Sequence, residues 1–220
     1  MLTNLTVRLL DALHRFNAAH PWDHNAHYHP WLLRQLPRRF GTALDVGCGT
    51  GDLVRSLAGR GQEVHGVDSD ARILERAREL TPSSASVRYT ADDATRGLPP
   101  GPYDVITCVA VLHHLPLTDT LARFRRELAP GGTLVVVGCA RPASPGDRLL
   151  DLLSVPLNVC VGWAKNRGRA AARPVSMTAR TREPELSFAE ISREARRQLP
   201  GARLRRRLFW RYTLVWRAPR

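Results

Sequence analysis

The chain has almost no lysine. Lys165 stands alone, although lysine and arginine together number 33 against 20 acidic residues, a net charge of +13. An excess built almost wholly from arginine can follow from genome base composition, so it is weak evidence for a polyanionic partner, and nucleic acid is not expected. The densest run, "LRRRLFWRYTLVWR", alternates as a strand does, which would leave its arginines on a solvated face. Cysteine is scarce as well. Cys48, Cys108, Cys139 and Cys160 show no C-x-x-C spacing, which argues against a zinc framework or a disulfide scaffold. They read as reduced thiols of an intracellular, cytoplasmic protein. No run reaches the ~18 apolar residues of a membrane span. The opening "MLTNLTVRLLDALHRF" lacks the marks of a signal peptide, because Arg8 and Asp11 interrupt it and no small-residue cleavage site follows. Leu5, Leu9, Leu13 and Phe16 recur there at helical spacing instead.

Internal repeats and low-complexity tails are also missing, and 220 residues suit one large α/β domain. Two short helices are expected first. The second follows Pro30, which suits a first-turn position, and must end near Pro37. Strands then alternate with helices: "TALDVG", "GDLVRSLAG", "EVHGV", "SDARILERAREL", "SVRYT", "YDVITCV", "TDTLARFRREL" and "GGTLVVVGC". That rhythm predicts a mainly parallel sheet covered on both faces. It breaks after Cys139. Residues 141–184 are rich in Pro, Gly and Arg around one apolar segment, "RLLDLLSVPLNVCVGW", whose apolar residues give no clean helical stripe. Regularity returns with "SFAEISREARRQL", where Ser187 and Glu190 have capping-box spacing, and two closing strands follow. The expected organisation is a helical lid over 1–39 and one domain over 40–220, with 141–184 as an insertion above the substrate pocket.

The sharpest motif is "LDVGCGTGDL", which leaves a strand and opens a helix. Gly47, Gly49 and Gly51 permit a tight turn and a close approach to a ligand. The spacing is G-x-G-x-G rather than the G-x-G-x-x-G of dinucleotide loops, and Asp45 stands two residues before the first glycine. A carboxylate there would repel a pyrophosphate, whereas the ammonium and sulfonium of S-adenosylmethionine would be welcome. Asp68 ends the second strand, where an acid can accept hydrogen bonds from both ribose hydroxyls. Asp93 and Ala94 follow the third, placed to meet adenine.

With "LDVGCGTG", "VDSD", "ADDA", "YDVITCVAVLHHL" and "ELAPGGTLVVV" in this order over roughly residues 40–140, the chain resembles the class I S-adenosylmethionine-dependent methyltransferases. The resemblance implies a Rossmann-like, seven-stranded, mostly parallel sheet with its last strand antiparallel. It carries cofactor contacts onto Asp45, Gly47, Gly49, Gly51, Asp68, Ser69, Asp93, Ala94 and Cys108. It also implies S-adenosylhomocysteine as product and no need for a metal.

The loop after the fourth strand, "LHHLP", would border the transferable methyl, because ligands in such folds meet at the carboxyl ends of the strands. The N-P-P-Y type of sequence that accompanies methylation of base nitrogens is absent there. His113 is the candidate base or orienting group, and His114 is either a substrate contact or a packed residue. "HPWDHNAHYHP" holds four histidines, His20, His24, His27 and His29. It reads as a lid rather than a metal site, with Trp22, His27 and Tyr28 as substrate contacts and Asp23 as a second catalytic candidate facing the same cavity as His113. The apolar segment within 148–163 is expected to roof the pocket, with a dimer or membrane-surface contact as the alternatives. The head, the compact size and the tail resemble methyltransferases of actinobacterial secondary metabolism, including enzymes that methylate indole C3 in tryptophan-containing cyclic dipeptides. A small aromatic acceptor is therefore expected. O- or N-methylation of another metabolite, an RNA methyltransferase, a non-catalytic relative and a homodimer stay open.

Overall fold

The structure is a computed structural model that describes residues 2–177 and 182–220, and in the first helix it leaves the side chains of residues 2–6, 9 and 10 undescribed. The expected contacts of Leu5 and Leu9, and residues 178–181 of the expected insertion, therefore lie outside the described residues.

Two helices precede the sheet, α1 (Leu2–Ala19) and α2 (His24–Gln35). The expectation that Pro30 opens the second helix is corrected: Pro30 lies inside it. Asp23 supplies the start signal earlier, its side chain accepting hydrogen bonds from the backbone N–H groups of Asn25 and Ala26. Such a cap contributes about 1 kcal/mol, and packing of the buried Tyr28 and Leu32 helps offset the bond that Pro30 cannot make.

The alternation then runs β1 (Phe40–Val46), α3 (Asp52–Ala58), β2 (Gly61–Asp68), α4 (Ala71–Leu80), β3 (Val87–Ala91), β4 (Tyr103–Val109), α5 (Leu117–Glu127) and β5 (Leu128–Gly138). After it come α6 (Pro145–Lys165), α7 (Phe188–Gln198), β6 (Arg203–Arg207) and β7 (Arg211–Arg217). The strands form one seven-stranded sheet in the order β3-β2-β1-β4-β5-β7-β6. Neighbours from β3 to β5 are parallel, and β7 is antiparallel to both β5 and β6.

Period-two alternation divides the core between the two faces. Leu44, Val46, Ile106 and Cys108 pack toward α5 and α7, while Ala43, Val105 and Val135 pack toward α2 and α3. α7 begins with the expected capping box, Ser187 and Glu190 serving each other's backbone. Not every arginine of the closing strands is solvated as expected. Arg206 is nearly buried, 2.6 Å from Asp147 of α6 and over the ring of Phe188.

Residues 145–165, expected as an irregular roof, form one continuous helix. Its start is fixed by Ser144 and Asp147, a second capping box. Its polar side turns inward: Asp147, Ser154 and Gly162 are buried, while Leu149, Leu152 and Leu153 are exposed. No helix among the described residues is long and apolar enough to cross a membrane.

Candidate active site

The carboxyl ends of β1, β2 and β4 open into a cavity of about 1100 Å³. The glycine loop forms its floor. Gly47 has φ +73° and Gly49 has φ +52°, backbone conformations that L side chains rarely adopt. A Cβ on Gly47 would meet the Val111 side chain at 2.0 Å, so this glycine lets the loop after β4 close over the loop after β1. A Cβ on Gly49 would meet nothing within 4 Å, because Gly49 faces the open cavity. The loop is pinned from β2: Val67 accepts from the N–H of Gly47 and of Cys48, at 2.7 and 3.0 Å.

Asp68 joins the two ligand-facing loops. Its Oδ2 accepts from the Gly49 N–H at 2.9 Å and its Oδ1 from the Asp70 N–H at 3.0 Å. Both oxygens keep lone pairs for a further donor. Asp70 in turn caps α4, accepting from the backbone N–H of Arg72 and Ile73. On the far wall, Asp93 accepts from the Thr95 N–H, which with the Thr95 hydroxyl holds its carboxyl below the usual range. Arg123 ties that loop down through the carbonyls of Ala94 and Thr95.

Asp45 differs from these acids. It is 3% exposed and pairs in register with Thr107 of β4, whose hydroxyl donates to its Oδ1 at 2.6 Å. Burial pushes its carboxyl up to about 7; the Thr107 hydrogen bond opposes that rise, and the nearby Asp68 adds to it. A cation brought to the cavity would stabilise the ionised form and lower this pKa. The lining as a whole has the same preference. Asp23, Asp45, Asp52, Asp68, Asp70, Asp92 and Asp93 line it, against the cations Arg72 and Arg182. A chain of net charge +13 thus places seven carboxylates around this one cavity, which suits a cationic ligand and opposes a polyphosphate.

A family model described as "Methyltransferase domain" matches residues 43–132. An uncharacterised methyltransferase of Mycobacterium tuberculosis is 36% identical over 201 residues, covering 90% of this chain and 98% of its own. The chain belongs to the S-adenosylmethionine-dependent methyltransferases. The ubiquinone biosynthesis O-methyltransferase of Thiobacillus denitrificans is 35% identical over 126 residues, 50% of this chain and 54% of that one. The N-methyltransferase NodS of Bradyrhizobium japonicum, solved with S-adenosylhomocysteine, superposes with a TM-score of 0.59 at 19% identity, covering 96% and 98% of the two chains. That last likeness concerns the fold.

In this methyltransferase Asp45, Gly47, Gly49, Asp68, Ser69, Asp93 and Ala94 all line the large cavity, together with Asp23 and His114. Two expected cofactor contacts lie elsewhere. Cys108 is fully buried, because alternation in β4 sends it to the α5 and α7 face while Thr107 turns to Asp45. Gly51 caps α3 at φ +76°, and a Cβ there would meet the Tyr89 hydroxyl at 2.2 Å; it shapes the turn and does not line the cavity.

The expected substrate contacts of the lid are also corrected. Trp22 is buried, its Nε1 donating to the Asn158 side chain of α6 at 2.9 Å. Tyr28 donates its hydroxyl to the Leu208 carbonyl at 2.8 Å, and His27 packs edge-on against Trp22, Tyr28 and Phe209. These rings dock the lid onto α6 and the β6–β7 turn, which is where their apolar area is hidden from water. None of α6 lines the cavity, so the expected roof is not that helix; Ser176 and Arg182 line it instead.

Asp23 and His113 do not face the same space. Asp23 lines the large cavity, but its Oδ1 caps α2 and its Oδ2 accepts from Ser176 at 2.7 Å, clasping the lid to the segment above it. His113 lines a second cavity of about 300 Å³ with Leu112, Cys139, Ile191 and Tyr212. Thr95, His114, Leu115 and Arg182 line both cavities, so the two adjoin. The His113 Nδ1 is buried and has no hydrogen-bond partner among the described residues. Burial, with the charges of His114, Arg211 and Arg182, holds its pKa down at about 4, against a hydrogen bond between the ring and the Arg182 backbone that raises it. The ring is neutral at pH 7, its centroid 4.0 Å from that of His114 and tilted 38° to it.

The four histidines of the head diverge. His20 bonds the Phe16 carbonyl, His24 the Asn158 side chain, His27 packs in the lid, and His29 reaches the cavity. Among the described residues no three His, Cys, Asp or Glu side chains converge as a metal site. Sequence reasoning overlooked Asn25, Ser176 and Arg182 as lining residues. The Asp45–Thr107 pair was within reach, because both residues end neighbouring parallel strands on one face.

Proposed function

We propose that the large cavity holds S-adenosylmethionine and that the adjoining 300 Å³ cavity takes a small aromatic acceptor, methylated at the boundary between them. The observation that carries this reading is the adjacency of an acid-rich cavity, fit for a cation, and a smaller one walled by Leu112, Leu115, Ile191 and Tyr212, beside which the buried His113 Nδ1 has no hydrogen-bond partner among the described residues. Asp45 would face the ammonium and sulfonium end, Asp68 the ribose diol, and Asp93 with Ala94 the adenine. Ser69 would flank the ribose.

In the acceptor cavity the neutral His113 accepts a hydrogen bond from the acceptor's N–H or O–H and fixes the tilt of its ring. As charge develops on the acceptor during transfer, that hydrogen bond strengthens, which is the condition for speeding the chemical step. His114 and Leu115 stand at the boundary, where in-line alignment of nucleophile, methyl and sulfur does most of the work. The Asp23–Ser176 clasp holds the lid across the large cavity and keeps water from the sulfonium.

The best specific acceptor is an indole, methylated at C3, as in a tryptophan-containing cyclic dipeptide. Indole C3 is itself the nucleophile, and its N–H is the donor that His113 lacks. O-methylation of a phenol is the second reading. The partial similarity to a ubiquinone biosynthesis O-methyltransferase favours it, and there His113 would receive the hydroxyl proton.

Single-turnover transfer of labelled methyl separates the readings. We expect product from an indole-bearing cyclic dipeptide, with the label on C3, and a fall of about a hundredfold in rate for His113→Ala at saturating cofactor. Because the His113 pKa lies near 4, its protonation should slow the reaction only as pH falls toward that value. Label on a phenolic oxygen and none on indole would select the second reading. An unchanged rate in His113→Ala would remove His113 from the chemistry.

A further inference from the structure

Helix α6 is built inside out. A surface helix ordinarily buries its apolar stripe and shows its charges. Here the inward side is anchored by polar groups. Asp147 pairs with Arg206, Ser154 accepts from the Phe209 N–H at 2.9 Å, and Asn158 bonds Trp22 and His24. The outward side presents Leu149, Leu152, Leu153, Leu157 and Trp163, exposed by 57, 69, 48, 40 and 55%. These residues recur at helical spacing along one side of the 21-residue helix, a strip about 20 Å long. Among the described residues nothing covers it, and leaving such leucines in water carries a free-energy cost that a partner would remove.

The charges around the strip identify the partner. Arg148 flanks its start, and Arg167, Arg169 and Arg173 follow its end. All four are exposed, and none forms an ion pair among the described residues. The helix's two acids lie on the anchored side: Asp147 is held by Arg206, and Asp151 is half-buried beside it. The outward surface is therefore apolar in the middle and cationic at both ends. A second copy of this chain would bring the same cationic rim and the same net charge of +13 against it, an arrangement that like charges oppose. Hydrocarbon beneath anionic headgroups complements both parts, and Trp163 has the shape and polarity that favour the headgroup boundary.

We infer that α6 is a docking helix that lies in the surface of an anionic lipid bilayer, its leucines among the upper acyl chains and its flanking arginines at the headgroups. The helix lies flat in this arrangement and does not span the membrane. The cavities stay on the protein side, because α6 contributes no lining residue to either.

Flotation of the full chain with vesicles tests this. Vesicles of phosphatidylcholine mixed with phosphatidylglycerol should carry the protein to the top of the gradient, and vesicles of phosphatidylcholine alone should bind it at least tenfold less, about the effect of one or two juxtamembrane charges. Leu152→Glu with Leu153→Glu should weaken binding to the anionic vesicles by about tenfold or more. Arg167→Glu with Arg169→Glu should do the same. All four positions are exposed, so thermal unfolding of the variants should match the wild type and show that they fold. Three results would overturn the inference: no flotation with anionic vesicles, equal flotation with neutral ones, or flotation undiminished by the leucine substitutions. A dimer in sedimentation velocity that those substitutions dissociate, without flotation, would assign the strip to a second copy instead.

Discussion

Replacing Asp45 with asparagine is expected to weaken S-adenosylmethionine binding about a hundredfold and to flatten its dependence on pH. Removing one partner of a buried charge pair commonly costs several kcal/mol, and a hundredfold loss corresponds to about 2.7 kcal/mol, within that range. The pH dependence follows from burial. In the ligand-free chain the Asp45 carboxyl is held up at about 7, far above its ordinary 3.8. The ligand's cations favour the ionised form, so binding requires that form. Affinity of the wild type should be level above pH ~7 and fall by about tenfold for each unit below it, with proton release on binding. The free protein has the opposite trend. A carboxyl raised on folding contributes stability below its unfolded value, and that contribution is lost as pH rises from about 4 through about 7. Calorimetric titration across this window, in buffers of different ionisation enthalpy, checks both the affinity and the proton. A wild-type affinity that stays level through pH 7 would mean that Asp45 does not meet the cation.

The strands and helices around this site were legible because period-two and helical patterns persist through each of them and glycines punctuate the turns. The glycine loop and the acids after β1, β2 and β3 could be named for the same reason: their positions at strand ends follow from the alternation. The lid was harder. Trp22, His27 and Tyr28 stand beside Asp23 in the chain, and proximity in sequence says nothing about which way a ring points on a helix. They face α6 and the β6–β7 turn, whose nearness to the lid depends on contacts more than 100 residues apart. α6 was misplaced over the pocket because its apolar residues read as giving no clean stripe; those of its outward side do recur at helical spacing, but they face away from the core. Pro30 was read as a helix start on local geometry, but Asp23 had a stronger cap to offer. Ser176 and Arg182 carried no signal, since both lie in a stretch without period or motif.

Asp68→Ala should weaken cofactor binding by at least tenfold while the fold persists. Two losses combine. The proposed ribose contact disappears, and the backbone N–H groups of Gly49 and Asp70 lose their acceptor, which loosens the glycine loop and the entry to α4 together. Each unmade hydrogen bond to a charged acceptor accounts for about 1.5–3 kcal/mol where water cannot replace it, and Asp68 is only half-buried, so tenfold is a lower bound. Asp68→Asn keeps an oxygen for one of the two backbone donors and should fall between the wild type and alanine. Near-native affinity of folded Asp68→Ala in calorimetry would remove the ribose assignment and leave Asp68 as a loop brace.

The central claim is that the acid-rich cavity at the ends of β1, β2 and β4 is where S-adenosylmethionine binds. A crystal structure of the chain with S-adenosylhomocysteine tests it most directly. The account predicts the amino-acid end of the ligand against Asp45 and the glycine loop, the ribose at Asp68, and adenine between Asp93 and Ala94, with the sulfur directed to the boundary formed by His114 and Leu115. Ligand bound outside this cavity, or inside it with the adenine at Asp45, would contradict it.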